Sequence, residues 1–157
     1  MQKKSSFLLD RMLGKLCRKL RLLGYDARLN PADEMGRFLL TAECEGRIAV
    51  TLSRRRHDRP GPQPVILKKG GVIDQIEELF NALGEKPKFE PFTRCLECNT
   101  PLAEEPPSSV HREVPPYIAK TFHHYNRCPD CRRLYWEGSH FQAMAEEIKE
   151  IEARFDR

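Results

Sequence analysis

Hydrophobic residues along this chain fall in short runs whose period changes from one run to the next. Phe7-Leu8-Leu9 is continuously apolar and closes on Asp10, which predicts a buried first strand. Apolar positions 12, 13, 16, 17, 20 and 23 then recur at helical spacing. Arg11, Lys15, Arg18, Lys19 and Arg21 occupy the other positions, and Gly24 suits the residue just past a helix end. Residues 25–29 predict a second strand, and Asn30-Pro31 turns the chain into a helix over 33–44 with Phe38, Leu39 and Ala42 inward. The β-branched character of 47–51 predicts a third strand, 65–67 a fourth, and Val72–Leu83 a helix with Ile73, Ile76, Leu79, Phe80 and Leu83 on one side. Repeated β-α alternation predicts a parallel sheet flanked by helices.

The pattern changes after that helix. Residues 85–91 are polar and hold two prolines, which suggests a boundary between an α/β domain over 1–88 and a smaller unit over 89–157. The stretch 100–116 carries five prolines and reads as loop. Residues 127–136 read as a hairpin, and Ser139-His140-Phe141-Gln142 is a capping-box pattern opening a helix to about Phe155. Phe141, Met144, Ile148 and Ile151 fall on one face of that helix, which is expected to dock the smaller unit on the first.

Composition fits a globular chain: of 157 residues, 39% are hydrophobic and 32% charged. The apolar runs are too short to cross a bilayer and no secretory leader opens the sequence, so a cytoplasmic protein is expected, without membrane contact. Charge is unevenly placed. Residues 1–60 hold fourteen Lys and Arg against seven Asp and Glu, a net of +7, and the remainder nets −3. The basic half, with Arg11, Lys15 and Arg54-Arg55-Arg56, reads either as a face for a polyanion such as nucleic acid or as a solvated helix and loop.

The most specific chemistry lies in two Cys-x2-Cys pairs, Cys95/Cys98 and Cys128/Cys131. Two such pairs suit a structural, tetrahedral Zn²⁺ with no open position; two disulfides are the competing reading, disfavoured in a reducing compartment. Cys17 and Cys44 read as buried packing. His123 and His124 are not needed as ligands once four cysteines complete a site. Asp10, as the last residue of a strand, sits where ligands collect in open α/β sheets. Asp33 and Glu34 open a helix, where the dipole favours carboxylates, so they are structural or catalytic. No glycine-rich phosphate loop and no Ser/His/Asp nucleophile set occurs, and no organic cofactor is expected.

Longer motifs carry a resemblance: Phe7-Leu8-Leu9-Asp10-x-Met12-Leu13-Gly14, Leu23-Gly24-Tyr25-Asp26, Glu45-Gly46-Arg47-Ile48, Arg94-Cys95-x2-Cys98-Asn99-x-Pro101-Leu102, Val114-Pro115-Pro116-Tyr117 and Arg127-Cys128-Pro129-x-Cys131-x-Arg133-x-Tyr135-Trp136-x-Gly138-Ser139-His140. Together they are similar to the Mut-seven C-terminal ribonuclease family. The resemblance implies a PIN-like domain followed by a zinc ribbon, to which the pattern above adds the C-terminal helix, with RNA as substrate and Mg²⁺ or Mn²⁺ as catalytic metal. It matches Asp10 to the first family acid and places Asp33 or Glu34 where a second is expected, with Arg37 where members often carry Glu. The third acid, in a Thr-Arg-Asp run, is absent: Thr51-Leu52-Ser53 stands there. Asp58 lies five residues on and is the nearest substitute. Two expectations follow, a metal-dependent ribonuclease with an incomplete acidic site, or an inactive RNA-binding or ribosome-associated module.

Overall fold

Four short strands, β1 (Ser6–Leu9), β2 (Asp26–Leu29), β3 (Ile48–Thr51) and β4 (Val65–Ile66), run parallel in the order β2-β1-β3-β4. The computed structural model describes residues 4–31, 34–55, 58 and 60–156. Alternation along β1 divides the core between two faces. Phe7 and Leu9 pack beneath α1 (Gly14–Leu22) and α3 (Val72–Leu83) among Leu16, Leu20, Ile76 and Phe80, while Leu8 packs with Ala49 beneath Phe38, Leu39 and Ala42 of α2 (Met35–Cys44). Burial on both sides is why β1 reads as an unbroken apolar run. Gly24, at φ +84°, ends α1 in a Schellman motif: its N–H donates to Arg21 O, and that of Tyr25 to Leu20 O.

The C-terminal third forms an antiparallel sheet in the order β5-β6-β7, from β5 (Ala103–Glu105), β6 (Tyr125–Arg127) and β7 (Leu134–Trp136). Two short helices, α4 (Pro107–Val110) and α5 (Pro116–Thr121), close a small core of Val110, Val114, Ile118 and Tyr125. Arg127 is almost fully buried here, forked onto Glu113 through both Nη atoms at 3.0 and 2.8 Å. The last helix, α6 (Ser139–Phe155), lays Ile148 and Ile151 into the same cluster as Phe7, Leu16 and Leu79, so the larger core runs unbroken across both sheets' units. The polar stretch after α3 is packed: Lys88 N–H donates to Tyr25 Oη, Glu90 N–H to Leu23 O, and Phe89 meets the rings of Tyr25, Phe80 and Phe155.

The expected architecture is present, a parallel sheet flanked by helices, a small antiparallel sheet and a C-terminal helix. Three local readings change. Residues 100–116 hold a strand and a helix besides loop; the prolines begin helices at their first turn rather than prevent them. Cys44 is exposed, since it follows Ala42 by about 200° around the helix and so faces away from the sheet. Helix α6 starts from Gly138, not from a Ser139 cap, and Trp136 Nε1 lies 2.9 Å from where a Cβ on residue 138 would stand, so any side chain there has to displace the indole.

The first Cys pair is docked on the free edge of β2. Asn99 accepts from Ala27 N–H at 3.0 Å through Oδ1 and donates to Asp26 Oδ1 at 2.6 Å through Nδ2. Arg21 completes the joint, giving Nε to Ala27 O and Nη1 to Leu96 O and Glu97 O. Backbone groups that an edge strand ordinarily leaves open are thereby satisfied from a segment far along the chain.

Candidate active site and metal centre

Asp10 stands at the carboxyl end of β1, a central strand, and its own N–H prolongs the ladder by donating to Val50 O at 3.0 Å. Its carboxylate is fixed by three donors. Oδ1 accepts from Met12 N–H at 2.8 Å and caps the 3-10 turn Arg11–Leu13; Oδ2 accepts from Leu52 N–H at 3.1 Å and from the Thr51 hydroxyl. Thr51 is fully buried at the end of β3, so the anion is held on a rigid element. Thr51 is a supporting residue that neither the strand pattern of 47–51 nor the family's acids single out. The available signal was a hydroxyl at the end of a strand destined to lie beside Asp10.

Glu34, Asp58, Arg54 and Arg55 are the other candidates around the sheet that fall among the described residues. Glu34 precedes α2 and makes no side-chain cap; its Oε1 lies 3.1 Å from where a Cβ on Gly36 would stand, over the positive end of the helix. Asp58 is exposed in the loop between β3 and β4, as are Arg54 and Arg55, while Asp33 and Arg56 lie outside the described residues. Ser53 turns into that loop, accepting Arg55 N–H at 3.4 Å. Among the described residues Asp10, Glu34 and Asp58 do not gather into a metal-holding group of three. Arg11 and Lys15 are exposed just beyond Asp10.

The four cysteines do gather. The Sγ atoms of Cys95, Cys98, Cys128 and Cys131 all lie within 4.8 Å of one another, and Cys95 and Cys131 are 3.7 Å apart. A tetrahedron with Zn–S bonds of about 2.3 Å has edges of about 3.8 Å, so the spacing fits a thiolate-bound zinc. The two knuckles share one backbone pattern. In each, the first Cys N–H donates to the carbonyl five residues on, its own carbonyl accepts the N–H four residues on, and that fourth residue is left-handed: Asn99 at φ +67° and Arg132 at φ +64°. Cys95 and Cys128 are buried, and Cys98 and Cys131 face solvent.

Burial opposes ionisation of Cys95, yet the Tyr135 hydroxyl at 3.2 Å and the N–H groups of Cys98 and Glu97 stabilise its thiolate and bring it down to about 7. Tyr135 is oriented in turn by Leu96 N–H. The thiol contact with Cys131 holds Cys98 up to about 12, and burial raises Cys128, so an incoming cation has to displace protons here. No helix among the described residues is long and apolar enough to cross a membrane.

The family model of the Mut7-C RNAse domain matches residues 5–148, from β1 into α6. The chain belongs to the Mut7-C RNAse family. Among curated proteins and among solved structures, none matches the chain at a significant level. The Mut7-C match spans both Asp10 and all four cysteines, which ties the carboxylate at the end of β1 and the four-cysteine cluster to one ribonuclease-like family domain.

Proposed function

We propose that this Mut7-C chain is a divalent-metal-dependent ribonuclease of the PIN-like class, cytoplasmic, with a structural zinc on Cys95, Cys98, Cys128 and Cys131. The observation that carries the catalytic part is Asp10: a carboxylate immobilised by Met12, Thr51 and Leu52 at the carboxyl end of a central parallel strand. A carboxylate has about four lone-pair sites, and three are used by these donors, so Asp10 keeps room for one further ligand. Mg²⁺ or Mn²⁺, when bound, supplies an activated water and neutralises charge developing on the phosphate. Asp10 would anchor it, with Asp33 or Glu34 and Asp58 as the other candidate carboxylates, and Arg11, Lys15 and the Arg54–Arg56 run would orient the RNA.

A second reading, an RNA-binding module without cleavage, is favoured by Ser53. That position supplies no charge, its hydroxyl is engaged with the Arg55 amide, and the family's third acid has no counterpart there. Cleavage of generic single-stranded RNA in Mn²⁺ separates the two. The nuclease reading expects activity that Asp10→Asn abolishes and Ser53→Asp raises. Cleavage absent from the wild type but gained with Ser53→Asp would establish the binding module instead.

A further inference from the structure

We propose that single-stranded RNA runs from Asp10 along α1 and onto the second metal knuckle, where Arg132 and Arg133 take its phosphates. Only the end point at Asp10 rests on the nuclease reading. Lys15, Arg18 and Lys19 follow Asp10 at spacings that keep them on neighbouring turns of α1, and Lys15 and Arg18 are exposed. They rim a groove of about 270 Å³ whose floor is apolar, made by Leu22, Val72, Leu96 and Met144. Cationic rim over apolar floor suits a strand that places phosphates outside and an unpaired base within; an A-form duplex has no free base to offer such a floor.

The far end of this track reaches the metal centre. Glu97, on the first knuckle, pairs with Arg18 and lies 3.8 Å from Arg133 on the second, which brings the cations of α1 beside those of the ribbon. Beyond Asp10, the five cations Lys15, Arg18, Lys19, Arg132 and Arg133 stand against three carboxylates, Glu97, Glu147 and Asp130 of the second knuckle, so the track is net positive. Arg132 adds an independent observation. It occupies the same left-handed position as Asn99, a conformation that a long side chain adopts only at a cost. Asn99 uses that place to latch onto β2. The Arg132 side chain is exposed and has no hydrogen-bond or ion-pair partner among the described residues, which leaves its charge for something outside the chain.

The test uses the full, zinc-loaded chain with Mg²⁺ and Mn²⁺ omitted, and a short fluorescein-labelled oligouridine titrated by anisotropy over a range of salt. The variant Arg132→Asn/Arg133→Gln keeps a residue tolerant of the left-handed position. Its log-log salt slope should fall by up to about 1.4, at roughly 0.7 per lost phosphate contact, with unchanged zinc content. Should that variant lose zinc, Arg133→Gln alone should lower the slope by about 0.7. Unchanged slope and affinity with zinc retained would overturn the proposal, as would an RNA duplex of the same length binding as tightly as the single strand. Cleavage in Mn²⁺ is scored separately. Wild type that binds with the expected slope change but never cleaves removes the nuclease reading and leaves this one; cleavage with an unaltered slope does the reverse.

Discussion

Replacing Asn99 by glycine tests how firmly the first knuckle is joined to the parallel sheet. Glycine tolerates the left-handed backbone of this position, so the knuckle keeps its shape and only the side chain is lost. Two bonds go with it. Ala27 is fully buried, and its N–H, deprived of Asn99 Oδ1, is left without an acceptor at a cost of about 1–3 kcal/mol. The bond to Asp26 is half exposed and also served by Arg47, so its loss adds about 0.5 kcal/mol. Relief of the left-handed strain offsets a few tenths, and the net destabilisation is about 2 kcal/mol, or roughly 4–8 °C in melting temperature for a chain this long. Melting at fixed zinc, followed by the single tryptophan, Trp136, gives the first number. Hydrogen exchange of the Ala27 amide gives the second and should quicken more than that of the β1 amides. A shift below about 1 °C together with an unchanged Ala27 amide would refute the reasoning.

Cys128→Ser should release the bound metal, unfold the ribbon and also lower the melting temperature of the parallel-sheet unit, because Leu96, Ile148 and Ile151 belong to its core; metal analysis with a two-probe melt checks this. Tyr135→Phe removes the hydroxyl that supports the Cys95 thiolate and should weaken zinc binding on the order of 10-fold in a chelator competition, leaving the fold intact. Burial raises the Asp26 carboxyl, but Arg47 and Asn99 outweigh it and hold its folded value below the ordinary aspartate range. Its contribution is therefore present at neutral pH and fades as pH falls below about 4; Asp26→Asn should lower the plateau of stability above that pH and flatten the acid limb below it.

The sheet and its helices were legible because each element carries one dominant signal, such as the unbroken Phe7-Leu8-Leu9 or the 3.6 period closing on Gly24. The metal site was legible from spacing, since a Cys-x2-Cys turn brings its own two ligands together whatever surrounds it. What the sequence concealed was non-local. Nothing near Asn99 or Arg21 marks a partner on β2, and Tyr135 meets Cys95 only after the hairpin has formed. Short elements were lost to composition: prolines at 106, 107, 115 and 116 suggest loop until their positions at helix entrances are seen. Ser139 differs by a single residue at the helix entrance, whereas the exposure of Cys44 already follows from helical phase once Phe38, Leu39 and Ala42 are set inward.

The joint between Asn99 and Ala27 closes over a separation of 72 residues. At synthesis rates of about 5–20 residues per second, β2 leaves the peptidyl-transferase centre roughly 4–14 s before the residue that will cover it is even made. Covering then waits further for the second knuckle, another turn of the ribbon and a metal ion. Throughout that interval the nascent chain carries an open strand edge, and with zinc on the four cysteines as proposed, the rate of its capture would set how long that edge persists. Zinc limitation would then be felt first as aggregation of newly made chains, while molecules already folded and loaded stay intact.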